Sequence, residues 1–231
     1  MKPVHYFFIF FILVYMSIHA QTVNWNRLEN EPTHIVNVNA GLQHGVIYGV
    51  DYSYYSNLHV PILFHLSISI PSGKKLTDDF KIQPGIQIQW LKKSDFKLIT
   101  SIDGISRRRH ETTTVSLFNL GTAISASFGY YRPGWFIAVE AGFDKAIATK
   151  FKHSQAYRDN YPEVQDGWYK HSTGGNFNYG LKTGISFGKQ DIYLQVGKII
   201  AQDFRSKPQV PFYGQIGYTM RLSNIDKSEQ K

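Results

Sequence analysis

The chain has 231 residues, with 25 Lys and Arg against 17 Asp and Glu, a formal net charge of +8 and no cysteine. Without cysteine, neither a disulfide framework nor a thiolate metal site can stabilise the protein. The one dense basic cluster is "SRRRHE", Ser106 to Glu111. The basic residues are otherwise spread over the chain, which favours anionic lipid headgroups or lipopolysaccharide phosphates over nucleic acid as partners.

The first 20 residues, "MKPVHYFFIFFILVYMSIHA", predict a secretory signal peptide. Lys2 precedes an apolar run from Tyr6 to about Met16, and small or polar residues then lead to a cleavage site between Ala20 and Gln21. The alternative is a short N-terminal membrane anchor, although the apolar run is shorter than the ~20 residues that a spanning helix needs.

The mature chain is interpreted as one domain. We expect a periplasmic N-terminal segment at 21–33, a β-barrel at 34–222 and a polar C-terminal tail at 223–231. Segments of the middle region separate, in steps of two, into an apolar face and a small or polar face, which is typical of β-strands. In "GWFIAVEAGFDKAI", for example, Trp135, Ile137 and Val139 oppose Glu140 and Asp144.

About ten such strands are predicted, within a range of 8 to 12. Two positions disturb the pattern. Pro84 cannot donate a hydrogen bond to a sheet and is interpreted as a bulge or as the start of its strand. Lys198 falls in line with apolar residues, which indicates either a snorkelling rim lysine or a bulge that changes the phase.

The connections between the strands alternate in length. Tight turns such as "YRPG" and "GKQD" alternate with longer loops such as "PSGKKLTDDF" and the stretch from Lys152 to Gly175. Short periplasmic turns, long outer loops and both termini on the short-turn side are typical of outer-membrane barrels. The sequence therefore predicts an all-β, antiparallel, up-and-down transmembrane β-barrel in the cell outer membrane.

The residue types on the polar face favour a membrane barrel, with the apolar face outward, over a soluble lipocalin-like secreted barrel. The polar face is rich in Gly, Ser, Asn and Gln, which suit a narrow lumen, whereas aromatic residues gather near strand ends on the apolar face. Charged side chains on the polar face must then be paired in the lumen. A structural salt-bridge network is favoured over an ion path or a catalytic set. Its predicted members are Asp51, Asp103, Glu140, Asp144, Lys97, Arg107, Lys182 and Arg221.

At this level the chain resembles the small outer-membrane β-barrel proteins of Gram-negative bacteria, and the "HAQ" end of its leader resembles those of the Bacteroidota. The resemblance implies outer-membrane lipid, lipopolysaccharide and the barrel assembly machinery as partners, and a monomer. Family members commonly end in an aromatic residue, whereas here the final strand is expected to end at Leu222 before "SNIDKSEQK".

The predicted function is a non-enzymatic structural or interaction role, or narrow passage of solutes through a largely filled lumen, without cofactor or metal. One outer loop stands out by its aromatic residues Tyr157, Tyr161, Trp168 and Tyr169, which suit contacts with sugars, lipopolysaccharide or a partner. The alternative for this loop is a cap over the barrel mouth.

A rim hydrolase, either an omptin-like protease or a lipid-modifying enzyme, is the second functional hypothesis. It requires Asp, His or Ser side chains within hydrogen-bond reach at the rim. A metal site at His153, Asp166 and His171 is a weaker alternative. The candidate rim residues are Ser72, Asp78, Asp79, His110, His153, Asp166, His171 and Asp203.

Overall fold

The structure is a computed structural model that describes residues 22–28, 33–42, 46–57, 59–72, 79–91, 95–110, 114–170, 175–204 and 211–223. The predicted signal peptide, most of the C-terminal tail, Asp78, His171 and the side chain of His110 lie outside the described residues. No helix among the described residues is long and apolar enough to cross a membrane.

Eleven strands and two short helices make up the described part of the chain. The helices are a 3-10 turn at Trp25–Arg27 and α1 at Gln155–Asn160. The strands are β1 (Thr33–Leu42), β2 (Val46–Asn57), β3 (Pro61–Pro71), β4 (Asp79–Gln89), β5 (Phe96–His110), β6 (Val115–Arg132), β7 (Trp135–His153), β8 (Gly167–Lys170), β9 (Gly175–Phe187), β10 (Gln190–Ala201) and β11 (Phe212–Ser223).

Ten of these strands form a closed antiparallel barrel, which confirms the predicted all-β, up-and-down fold. Each strand pairs with its neighbour in the chain, β7 pairs directly with β9, and β1 pairs with β11 to close the wall. The short β8 pairs only with Ala148–Phe151 at the far end of β7. Closure leaves no sheet edge unpaired along the wall, so no edge strand is open to pairing with another chain.

The two ends of the barrel differ in their connections. One end, called the short-turn end, has the connections 58–60, 90–95, 133–134 and 188–189, together with Thr33 and Ser223, which pair with each other. The other, called the long-loop end, has the connections 43–45, 72–78, 111–114, 154–174 and 202–211. The first of the long-loop connections is short, as the sequence indicates.

The strand β7 contains a β-bulge that the sequence pattern does not reveal. Leu120 of β6 pairs with Ala148, and the next residue, Gly121, pairs with Ala146, so that Ile147 is the extra residue. Before the bulge the even-numbered residues face the lumen, as Glu140 does. Beyond it, Thr149 is buried and donates to Asn119 at 2.6 Å, so the odd-numbered residues face inward.

Pro84 lies in the interior of β4, and its interpretation as a bulge or a strand start is wrong. Ile82 pairs with Ser106 and Gly85 with Asp103, so the register of β4 and β5 is the same on both sides of the proline. The pairing with β5 is interrupted at Gln83 and Pro84, because proline has no backbone N–H to donate. Lys198 also keeps its register, without a bulge, and lies on the outward face.

Candidate functional site in the lumen

The inner face of the barrel is mostly polar and the outer face is mostly apolar. Ile102 on β5 is 63% exposed, whereas its neighbours Ser101 and Asp103 are 3% and 1% exposed. The same reversal holds on the other wall strands except β6, whose buried residues Leu117, Ala123 and Tyr131 are apolar or aromatic. The buried polar side chains include Asn37, Asn39, Ser53, Ser67, Gln83, Gln87, Asn178, Gln195, Gln215 and Thr219.

Aromatic side chains on the inner face fill space that neighbouring glycines leave open. The ring of Tyr193 lies against Gly217 of β11, and the ring of Tyr213 lies against Gly197 of β10. A Cβ at either glycine would overlap the tyrosine ring, so only glycine permits this approach. The period-two glycines of the sequence thus make room for neighbours in the lumen.

The described N-terminal residues 22–28, named the plug segment, lie inside the barrel at its short-turn end. The side chain of Asn24 is fully buried and donates to the Arg132 carbonyl oxygen and to Ser186 Oγ, both at 2.7 Å. The Asn24 backbone N–H donates to Asp191 at 3.2 Å. Asn26 Nδ2 donates to the Tyr131 carbonyl at 2.6 Å, so the plug segment is hydrogen-bonded to β6, β9 and β10.

Apolar contacts also hold the plug segment in place. Val23 and Trp25 are 2% and 4% exposed, and the Trp25 ring meets the ring of Tyr55 edge-on at 6.3 Å. They pack in a cluster with Ile35, Tyr55, Leu63, Ile99, Tyr131, Phe136, Ala138 and Tyr193. The cavity beside Thr22, Val23 and Trp25 measures about 10 Å³. That is about the room of one water molecule.

Above the plug segment, Glu140 is at the centre of a buried hydrogen-bonded cluster. The Lys182 Nζ lies 2.5 Å from Glu140 Oε2, and the Tyr213 hydroxyl donates to Oε1 at 2.8 Å. Gln195 Nε2 donates to the same Oε1. Strands β7, β9, β10 and β11 each contribute one member, so the cluster ties together a quarter-turn or more of the wall.

Arg221 forms the second buried ion pair, with Asp191 as its partner. Arg221 Nη1 lies 2.5 Å from Asp191 Oδ2, and Nη2 donates to the Gly188 carbonyl at 3.2 Å. The same Asp191 oxygen accepts the backbone N–H of Asn24. This pair therefore connects the wall to the plug segment.

The remaining predicted lumen charges lie nearer the long-loop end. Asp103 contacts His65 Nε2 at 2.7 Å, and Asp51 accepts from Asn39 at 2.9 Å. Asp144 accepts from the backbone and side chain of Asn176 at 3.2 and 3.1 Å. The Lys81 ammonium is attracted electrostatically by Asp51, Asp103 and Asp144 and is a countercharge for all three.

The last two predicted lumen residues lie at the ends of the barrel. Arg107 forms a two-pronged pair with Asp79, with Nη2 at 2.8 Å, near the long-loop end. Lys97 is 6% exposed near the short-turn end, where Asp95 supplies the opposite charge. Of the eight predicted residues, only Glu140 and Lys182 contact each other as an ion pair.

Four residues of the charged lumen were absent from the predicted network: His65, Asp79, Lys81 and Asp191. Asp191 has a signal in the sequence, because it shares a phase with Gln195, opposite the apolar Ile192 and Leu194. Asp79 and Lys81 follow a long loop, where the start of the strand is hard to locate from sequence alone.

The four aromatic residues of the outer loop separate into two groups. Tyr157 on α1 and Tyr161, which follows this helix, contact each other with ring centroids 4.9 Å apart, and Tyr157 stacks on His153. Trp168 and Tyr169 lie on β8, where Trp168 meets Phe118 edge-on at 6.1 Å and Tyr169 meets Phe151 at 5.1 Å. The described part of the loop thus extends the wall through β8, and Trp168 is 52% exposed.

Asp166 joins this loop to the end of β7. It accepts from the backbone N–H of His153 at 2.8 Å, contacts His153 Nδ1 at 2.8 Å and pairs with Arg158 at 3.1 Å. The His153 backbone N–H, followed by the His153 side chain, holds the pKa of the Asp166 carboxyl below its ordinary value. These contacts suit an anchor for the loop.

The other rim candidates are not brought into a catalytic arrangement in the described residues. Ser72 donates its backbone N–H to the Val46 carbonyl. Asp79 is occupied by Arg107, and Asp203 is exposed in the loop after β10. No group of three or more His, Cys, Asp or Glu side chains in the described ranges could hold a metal ion.

The sequence matches no protein-family model and no curated protein. Among solved structures, one described as "KdgM porin" is 10% identical, with 82% of this chain and 99% of that chain covered at a TM-score of 0.43. The N-terminal β-barrel domain of Pseudomonas aeruginosa OprF is 9% identical, with 82% and 97% covered at 0.36. The translocator domain of the autotransporter NalP from Neisseria meningitidis is 12% identical, with 85% and 90% covered at 0.36. Likeness at these values assigns no activity.

Proposed function

We propose that the protein is an integral β-barrel of a bacterial outer membrane whose lumen is closed by its own N-terminal segment, with a structural or interaction role and no catalytic one. The observation that supports this proposal is the reversal of the two faces. A closed wall exposes Ile, Val, Leu and Phe outward and buries Asn, Gln, Ser and paired charges inward. This arrangement suits hydrocarbon outside the barrel.

Aromatic residues on the outer face support the same orientation. An aromatic belt runs along the short-turn end from β2 to β9, and its rings contact each other across strands, as Phe96 does with Phe128 and Tyr130. Such belts mark the level of lipid headgroups in membrane barrels. The members of this belt are Tyr52, Tyr54, Phe64, Trp90, Phe96, Phe128, Tyr130, Trp135 and Phe187.

A soluble lipocalin-like barrel is disfavoured by the size of the exposed apolar surface. Monomeric soluble proteins rarely expose a continuous apolar patch of more than a few hundred Å². Here large apolar side chains of all ten wall strands are exposed, from Val38 on β1 to Leu222 on β11. A water-facing surface of this kind would aggregate.

The plug segment favours a structural or interaction role over solute passage. Trp25 and the Glu140 cluster lie in succession along the lumen. Trp25 occupies it through apolar packing, and the Glu140 cluster occupies it with hydrogen-bonded side chains. The proposal includes removal of residues 1–20, because Thr22 already lies in the barrel, where the Thr219 hydroxyl donates to its carbonyl. It also includes insertion of the barrel as a monomer by the barrel assembly machinery.

The first experiment is to fractionate cells that produce the full chain and to compare gel mobility of the extracted protein before and after boiling. We expect recovery in the outer-membrane fraction and a mobility shift that boiling abolishes. A protein that is soluble and shows no shift would overturn the membrane assignment.

The second experiment measures conductance in planar bilayers. We expect no persistent conductance from the wild type, and open steps from a variant that lacks residues 22–28. Because that variant can fail to fold, Asn24→Ala is tested beside it, and Lys198→Gln, on the outward face of β10, is the control. Steady wild-type conductance would contradict the closed lumen but leave the membrane assignment intact.

A further inference from the structure

The bulge in β7 determines where two lysines point. If the residues of β7 alternated without interruption, Lys150 and Lys152 would point into the lumen, as Glu140 does. The extra residue Ile147 reverses the phase, so both lysines are exposed on the outer wall. Bulges are often found where a side chain is re-aimed for function.

The strand register places these lysines beside a third basic residue. Arg108 of β5 pairs with Phe118 of β6, which pairs with Lys150 of β7, which in turn pairs with Trp168 of β8. Strands lie about 4.8 Å apart, so the backbones of Arg108 and Lys150 are about 10 Å apart. The Lys150 ammonium also lies 5.9 Å from the centre of the Trp168 ring.

A pocket of about 240 Å³ lies on this basic patch. Arg108 of β5 and Lys152 of β7 both line it, and Ser116 of the intervening strand β6, which pairs with Lys152, supplies a hydroxyl. Two exposed cations and a hydroxyl line this pocket, and a third exposed cation, Lys150, lies two residues from Lys152 on the same outward face of β7. This arrangement suits a phosphate group. The lining residues are Arg108, Thr114, Val115, Ser116, Lys152, His153 and Ser154.

The height of the patch above the aromatic belt fits a lipid headgroup. Twelve residues separate Tyr130 from Phe118 on β6, which is about 40 Å along the strand and about 30 Å along the barrel axis at a tilt of about 40°. The apolar band of a membrane barrel is about 25 Å tall. Arg108 and Lys150 therefore lie just beyond the hydrocarbon, at the long-loop end.

An apolar groove lies below the patch on the same side of the barrel. It measures about 490 Å³ and crosses β5, β6, β7 and β9, where Ala126 and Ala141 leave a shallow depression between Ile102 and Phe177. Ile102 lies six residues below Arg108 on β5, about 20 Å along the strand. A chain of lipid dimensions can reach from the patch into the groove.

We propose that Arg108, Lys150 and Lys152 bind the phosphate of a phosphorylated lipid in the outer leaflet, with an acyl chain in the groove below. This inference rests on the proposed membrane location. The outward direction of the three cations, together with the groove, favours a lipid over a soluble acidic protein, because a soluble partner would leave the groove unoccupied.

The test uses the full-length protein purified in detergent, with lipopolysaccharide as the probe and its enzymatically dephosphorylated form as the comparison. The triple variant R108Q, K150Q, K152Q is compared with wild type and with Lys198→Gln, an outward-facing lysine outside the pocket. A basic residue at a membrane surface contributes about 1 kcal/mol, so we expect affinity to fall about five-fold per charge and about 100-fold for the triple variant. The control is expected to bind as wild type does.

Equal binding by the triple variant and wild type would overturn the site, as would equal binding of the dephosphorylated lipid. Competition by inorganic phosphate at the same concentration as the lipid would show a free phosphate site and overturn the lipid assignment. If the triple variant does not fold, Arg108→Gln and Lys152→Gln are tested singly, each with an expected five-fold loss. A wild type whose gel mobility does not change on boiling would overturn the proposed membrane location. A triple variant that folds as a barrel and binds the lipid as wild type does would overturn only the lipid site.

Discussion

Replacing Ile124 with lysine tests the assignment of the outer face. Ile124 is 53% exposed on β6, six residues from Tyr130 in the aromatic belt. Six residues extend about 20 Å along the strand and about 15 Å along the axis, close to the middle of an apolar band about 25 Å tall. A lysine at the midplane of a membrane barrel costs about 2–4 kcal/mol of folding free energy.

The matched control is Ile137→Lys. Ile137 is 40% exposed on β7, but it pairs with Tyr130 and so lies at the level of the belt. Near the interface the cost of a lysine falls to about 0–1 kcal/mol. Both variants and wild type are unfolded with urea in lipid vesicles, with tryptophan fluorescence and the boiling-dependent mobility shift as readouts.

The two outcomes differ clearly. Exposed substitutions on a water-facing surface change stability by about 0.5 kcal/mol or less, whatever their height on the barrel. If Ile124→Lys and Ile137→Lys are both that mild, the outer face is not in hydrocarbon and the reasoning from the reversed faces fails. A large loss of folding free energy in Ile124→Lys alone supports the assignment of the outer face to hydrocarbon.

Three other predictions concern the lumen and the outer loop. Glu140→Ala leaves Lys182 buried without its carboxylate and is expected to cost about 3–5 kcal/mol in the same urea assay, whereas the double variant with Lys182→Met is expected to recover part of the loss. Gly217→Ala, which drives a methyl group into Tyr193, is expected to cost about 1–3 kcal/mol, and Gly134→Ala, with open space around it, to be neutral. Because the pKa of Asp166 is lowered in the folded loop, its anchoring is complete above its ordinary value of about 4 and is lost as pH falls through the lower folded value. Protease accessibility of the loop should therefore rise in acid for wild type, and Asp166→Asn should be accessible at neutral pH; an unchanged loop in Asp166→Asn would contradict the anchor.

The alternation of residue types along single strands determined the barrel. Glu140 and Asp144 share a phase with glycines and oppose Trp135 and Val139, and that relation is local, so it can be read without knowing which strands are neighbours. The even number of strands and the alternation of short and long connections likewise depend only on the order of segments along the chain.

Contacts across the lumen depend on closure, which the local pattern does not contain. Arg221 meets Asp191 because of the register between β10 and β11. Lys81 is attracted electrostatically by carboxylates of β2, β5 and β7 because the wall curves around it. Charged side chains from several strands point toward the barrel axis and interact there. A one-residue change in the register of any strand would assign different partners.

The plug segment and the bulge were decided only in three dimensions. Residues 22–28 show no alternation, and Asn24 and Trp25 are fixed by a cavity that exists only once ten strands have closed around it. Ile147 looks like its neighbours in sequence, yet it reverses the direction of Lys150 and Lys152. The sequence thus determined which residues alternate, and the closed barrel determined which of them meet, because hydrogen-bond register and lumen packing are properties of many strands at once.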